Sequence, residues 1–153
     1  MAHDPKLTLA LGATVALVVV AYYILKGFGT AASDSGSSSV KLSPNEIAGY
    51  AHGAGFSGDD LVVAVAVALA ESGGNTGVVG DLALTPGGSI GLWQINLKYH
   101  PEFAGSDLTD PAANAAAAFS IYSAAGNSFN PWSTYKNEAY GKYINTASDA
   151  VSA

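Results

Sequence analysis

The chain has 153 residues, enough for one domain of ordinary size plus an appendage. Apolar residues make up 49% and charged residues only 12%, against roughly a quarter charged in a usual soluble domain, and there is no cysteine, which excludes a disulfide framework and a thiolate metal site. Net charge is −6, with 11 acidic residues against 4 lysines beyond Ala32 and no arginine anywhere, so the chain lacks the basic face that a nucleic-acid binder needs.

The charge deficit is concentrated near the start. Leu7 to Leu25 reads LTLALGATVALVVVAYYIL, 19 residues without a charge. As a helix it would reach roughly 28 Å, about the thickness of the hydrocarbon core. Lys6 and Lys26 bracket it, and Tyr22, Tyr23 and Phe28 stand near one end, where interfacial aromatics belong. Gly29-Thr30-Ala31-Ala32 offers small residues suited to signal cleavage, but the apolar run is long for a signal peptide and MAHDPK is barely positive. A retained single-pass anchor over residues 1–28 is therefore expected, with the lipid bilayer as partner through Leu7–Leu25. One lysine on each side leaves its orientation open. A tether would also compensate for the acidity of the rest, because it supplies local concentration that charge would otherwise have to provide.

Residues 29–42 are rich in Gly and Ser and read as a flexible linker. The folded domain is expected over 43–147, with 148–153 as a tail. Ser43-Pro44-Asn45-Glu46 is a capping box with proline at the first helical position, and predicts a helix to about Ala54, ended by Gly55. Ser57 can cap a second helix, with Asp59 and Asp60 in its first turn. Its body, LVVAVAVALA, alternates like a strand, but the capping, the alanines and the length favour a helix. Apolar on every side, it must be central. Residues 73–90 read as loop with possible short strands. Asp110-Pro111 opens a third helix, ended by Gly126, and Asn130-Pro131-Trp132 turns the chain into a last short helix near Asn137 to Asn145. The expected fold class is mainly α.

Glu71 ends the most apolar helix. Burial and the negative end of the helix dipole would both raise its pKa, and a carboxyl kept protonated near neutral pH can give its proton to a glycosidic oxygen. Composition alone leaves open that Glu71 is an ordinary polar residue leaving a helix end.

ALAESGGN (68–75) followed by GLWQIN (91–96) resembles the paired motifs of lytic transglycosylases related to goose-type lysozyme. Later segments, Asp110-Pro111 with Asn114, Ile121-Tyr122, Pro131-Trp132-Ser133 and Ala139-Tyr140, resemble the closing helices of short phage and actinobacterial members, so the resemblance covers roughly 43–145. It implies a lysozyme-like transglycosylase domain behind the transmembrane helix. It implies Glu71 as acid/base, Ser72 as support for that glutamate or as a substrate contact, and Gln94 facing the sugar or stem peptide. Gly91, Leu92 and Asn96 are implied as cleft residues, and Tyr140 as the late tyrosine of the cleft. Trp93 could flank the cleft or pack in the core. No metal or cofactor is implied, since His52 and His100 lack ligand-like spacing.

The implied partner is the peptidoglycan glycan strand, and the implied reaction is cleavage of the β-1,4 bond between N-acetylmuramic acid and N-acetylglucosamine. A transglycosylase needs one essential carboxyl and yields a 1,6-anhydro product. A lysozyme-type hydrolase usually needs a second. Asp81 is the only acid in the loop between the motifs, although a solvated loop residue is its simpler reading. A third possibility is a non-enzymatic virion or envelope membrane protein that keeps the fold, among other virion or envelope proteins. The short domain behind one anchor suggests a bacteriophage particle protein that opens the wall at entry, placed in a virion membrane or cell envelope.

Overall fold

The computed structural model describes residues 39–153. Among them no helix is long and apolar enough to cross a membrane; the expected anchor, Leu7–Leu25, lies outside the described residues. The elements run α1 (Pro44–Ala54), α2 (Gly58–Ser72), β1 (Val79–Gly80), β2 (Ser89–Ile90), β3 (Ile95–Asn96), a 3-10 turn (Pro101–Phe103), α3 (Pro111–Ala124), α4 (Ser133–Lys136), a five-residue 3-10 helix (Ala139–Tyr143) and α5 (Ile144–Ser152).

The helix starts follow their caps. Ser43 accepts from the Glu46 amide while the Glu46 carboxylate accepts from the Ser43 amide at 2.8 Å, which closes the capping box of α1. Asp110 caps α3 by accepting from the Ala113 amide at 2.8 Å. Ser57 departs from expectation: it precedes α2 in extended conformation, but its side chain makes no capping bond. Asp60 instead ties that end down, its carboxylate accepting from the Tyr122 hydroxyl of α3 at 2.6 Å. Burial, and then the bond to Asp60, push the Tyr122 pKa up to about 12.

Ala64, Val65, Ala66, Val67 and Ala68 of α2 are all 0% exposed. Five consecutive buried residues cover every side of a helix, so α2 is the axis around which α1, α4, the Ala139–Tyr143 turn and α5 pack. The alanines let neighbouring backbones come close, and each buried valine contributes about 1.5–3 kcal/mol relative to exposure. At one end of α2 an aromatic cluster centres on Phe56, whose ring meets Phe119 edge-on at 5.0 Å and Phe129 at 5.7 Å.

The three strands form one small antiparallel sheet in the order β1-β2-β3, with Val79 opposite Ile90 and Ile90 opposite Ile95.

Three sequence expectations are corrected. The linker does not extend to residue 42: the Leu42 amide donates to Gly74 O and the Thr76 amide to Val40 O, both at 2.9 Å, so residues 40–42 pair along the loop that follows α2. The last helix is not 137–145, because Asn137 closes α4 and Ala139–Tyr143 is 3-10. Residues 148–153 are not a free tail, because α5 continues to Ser152 with Ala147 and Ala150 buried against the core. These two alanines, three residues apart, lie on one face, and that packing carries the helix past Asn145.

Candidate active site

Glu71 occupies the last turn of α2, where Gly73 in the left-handed conformation ends the helix and donates its amide to Leu69 O. The carboxyl is half-buried. Burial is the main cause that raises its pKa above the ordinary glutamate value, and the negative charge of Asp81 pushes the same way. Bonds from Thr134 oppose them: the Thr134 hydroxyl donates to Glu71 Oε1 at 2.6 Å.

Thr134 reaches Glu71 because of the residue two places before it. Trp132 is buried, and its indole N–H donates to the carbonyl of Trp93 at 2.8 Å. Trp93 in turn donates its own indole N–H to Ala64 O of α2 at 3.0 Å. The two indoles clamp the start of α4 and the Gly91–Gln94 turn to the central helix. Trp93 is thus a core residue, at 0% exposure.

Asn114 of α3 holds the same turn from another side. It is fully buried, and its amide makes three bonds: it accepts from the Trp93 amide and donates to Ile90 O and Leu108 O, each at 2.9 Å. Gly91 sits directly against it. A Cβ there would lie 2.3 Å from Leu108 O and 2.4 Å from the Asn114 nitrogen, and φ is +79°, so both space and backbone require glycine. Gly91 and Leu92, expected as substrate-binding residues, are both buried, Leu92 at 0% exposure. A side chain without surface offers none to a sugar, so these two shape the turn from beneath.

Gln94 has a positive φ of 49°. Its side-chain nitrogen donates to Gly91 O at 2.9 Å and to Val78 O at 3.1 Å, which offsets the strain and pins the turn to the residue just before β1. Both amide protons are therefore engaged, and Oε1, which lies against Gly80, accepts no bond among the described residues. Asn96 donates to Thr85 Oγ1 at 2.9 Å and to Ser89 Oγ at 3.0 Å, and the Ser89 hydroxyl donates to Asp81 Oδ2 at 2.7 Å. Asp81 is exposed and at φ +58°, yet this chain of bonds holds it in place. Ser72 donates to Ala68 O at 2.9 Å and accepts from the Gly74 amide at 3.1 Å, so its hydroxyl closes the helix end and makes no bond to Glu71. Tyr140 is half-buried and stacks on Tyr135 of α4, ring centroids 4.9 Å apart.

Gln94 and Asn96 come together at a hollow of about 270 Å³, whose walls also include Tyr99, His100 and Trp132. Glu71 is not in that wall. The residue that sequence reasoning missed is Thr134. It stands 63 positions from Glu71, beyond any local pattern, and its one signal was the Pro131-Trp132-Ser133 segment just before it.

A family model described as a lysozyme-like domain matches residues 48–134, a span that takes in Glu71, the Gly91–Asn96 segment and Thr134. No curated protein and no solved structure matches the chain. By a match that spans more than half of its length, the chain belongs to the lysozyme-like domain family, which at the family level makes it a peptidoglycan-acting glycosidase or transglycosylase.

Proposed function

We propose that this protein is a muramidase that cleaves the β-1,4 bond between N-acetylmuramic acid and N-acetylglucosamine, and that it works as a lytic transglycosylase. The observation that carries the reading is Glu71: one half-buried carboxyl at the end of the central helix, with its pKa raised by burial. Such a group is protonated at a pH where an ordinary glutamate has ionised, so it can act as a general acid. It would give its proton to the glycosidic oxygen as the bond to the muramic C1 breaks. The resulting carboxylate would then take the proton from the muramic C6 hydroxyl while that oxygen closes on C1. No water is consumed, the product is the 1,6-anhydro sugar, and Glu71 ends protonated for the next cycle.

A hydrolase on the same fold is the second reading, and Asp81 is the observation in its favour. Its charge acts on Glu71 and its carboxylate is held by Ser89, as a group that activates water would have to be. Mass spectrometry of muropeptides released by the full chain separates the two. Products lighter by one water than reducing-end muropeptides support transglycosylation, and reducing ends alone overturn it.

The setting proposed is a membrane-anchored protein of a phage particle or cell envelope, with its catalytic domain facing peptidoglycan. Its support is the uncharged run Leu7–Leu25 followed by a Gly/Ser-rich stretch. Carbonate washing should leave the protein with the membrane fraction, and release into the supernatant would sink the anchor.

A further inference from the structure

We propose that Thr134 is the positioning residue of Glu71: by donating to Oε1 it holds the carboxyl in one orientation and leaves Oε2 as the oxygen that carries the acid proton to the substrate. The proposal rests on the reading of Glu71 as acid and base, and goes beyond it by assigning separate tasks to the two carboxyl oxygens.

The geometry is specific. At 2.6 Å the contact is at the short end for O–H···O bonds, as expected with a charged or strongly polar acceptor. It is the one side-chain hydrogen bond to Glu71 among the described residues, and the Thr134 hydroxyl makes no second one there. The hydroxyl has a single proton. With that proton directed at Oε1, the proton of the neutral acid belongs on Oε2. After transfer, the same bond stabilises the carboxylate as it turns to act as base. The anchor behind Thr134 is rigid, because Trp132 is fixed to the Trp93 carbonyl and packs at the start of α4. Without this hydroxyl the carboxyl would lose its one side-chain hydrogen bond among the described residues, and lost orientation at a reacting group can cost orders of magnitude in rate.

Thr134 also opposes the upward pull of burial on the Glu71 pKa. Ionisable groups on the surrounding elements are Glu46, Tyr50 and His52 of α1, Asp81 of the loop, Tyr135 and Lys136 of α4, Tyr140, Lys142 and Tyr143 of the 3-10 helix, and Asp149 of α5. Of these, Asp81 is the charge that registers on Glu71, and it too raises the pKa. Removing the hydroxyl takes away the larger of the two lowering influences, the backbone of Thr134 supplying the other, so the pKa should rise further.

The test compares Thr134→Val and Thr134→Ser with the wild-type full chain, acting on soluble glycan strands, across pH. Valine keeps the shape and loses the hydroxyl. The expected result is a fall in kcat of about tenfold or more with little change in KM, together with an alkaline limb displaced to higher pH. Serine should restore both the rate and the position of the limb. A role confined to packing would lower the melting temperature without moving the limb. The proposal is overturned if the valine variant keeps the wild-type kcat and limb, or if serine and valine lose activity equally. Should the valine variant fail to fold by circular dichroism, Thr134→Ala takes its place with the same expected and overturning outcomes. Failure of the underlying reading looks different, since Glu71→Gln would then remain active whatever Thr134 does.

Discussion

The helix that delivers Glu71 and the loop that brings Asp81 near it are closed by opposite means. Over Ala64–Ala68, α2 is sealed by apolar contact on all sides, and its backbone bonds are satisfied within the helix. Residues 78–96 hold together through side-chain polar groups: Gln94 on two carbonyls, Asn96 on Thr85 and Ser89, and Ser89 on Asp81. The helix is rigid because nothing in it can move without opening a void. The loop is rigid only while its network is complete, since a buried polar group left without its partner costs more than the bond itself contributes. Chemistry needs both: an apolar frame to perturb one carboxyl, and a polar one to arrange groups beside it.

The comparison breaks most sharply at the helix end. Glu71→Gln keeps the size of the side chain and can still accept from Thr134, but it cannot donate an acid proton. Turbidity clearing of purified peptidoglycan should fall on the order of 10²–10⁴-fold, with the circular dichroism spectrum unchanged. Stability should move the other way at high pH. Because the folded-state pKa of Glu71 is raised, the folded state holds that proton more tightly than the unfolded one. Stability attributable to Glu71 is complete below the unfolded pKa and declines as pH rises through the folded one. The glutamine variant should escape that decline, and wild-type activity should fall over the same interval as the acid form disappears. A folded variant that still clears the wall at the wild-type rate would remove Glu71 from the mechanism.

Next in size is the joint between the two regions, Asn114. Asn114→Ala would strand the Trp93 amide and the Leu108 carbonyl at buried bonds, and the Ile90 carbonyl at a partly buried one. At about 1–3 kcal/mol for each orphaned group, with some relaxation, a loss of about 3 kcal/mol is expected in urea unfolding. A loss under about 1 kcal/mol would mean that the loop closes without this anchor.

How far these parts could be read beforehand follows the same division. Caps and periodicity are local, so α1, α2 and α3 were legible from Ser43, Pro44, the alanine-valine run and Asp110. The network was not. Gln94 and Asn96 were recognisable from their motif, but their amide protons proved to be engaged with the loop itself, and Gly91 and Leu92 proved to lie beneath the surface. The Thr134–Glu71 bond joins positions 63 apart and leaves no trace in local pattern. The end of the chain was misread for a related reason. The helix from Ile144 to Ser152 has only small buried residues, Ala147 and Ala150, so its apolar signal is weak until the neighbouring helices are in place.

Asp81→Asn sharpens the loop side. Asparagine can still accept from Ser89, so the network should persist, while the negative charge near Glu71 is lost. Under the transglycosylase reading, activity should stay within roughly a few-fold of wild type, because one carboxyl suffices. The alkaline limb should move slightly to lower pH, since a charge that raised the Glu71 pKa is gone. A loss as deep as that of Glu71→Gln would make Asp81 the second carboxyl of a hydrolase.

The smallest effect belongs to the outer helical layer, and it tests whether apolar frame and polar network are energetically separate. Gly49 lies in the middle of α1 on its exposed face, with nothing within 4 Å of where a Cβ would stand. Its backbone is not among the positive-φ glycines, so alanine fits the conformation it already has. Glycine in a helix interior is less favourable than alanine by about 0.5–1 kcal/mol, in part because the unfolded chain has more freedom to lose. Gly49→Ala should therefore raise the urea midpoint by that increment without changing the denaturant slope. Wall-clearing activity should stay the same, because a Cβ at Gly49 meets nothing within 4 Å. A stabilised variant with altered activity would show that the frame and the site are coupled through α2 more tightly than additive packing allows.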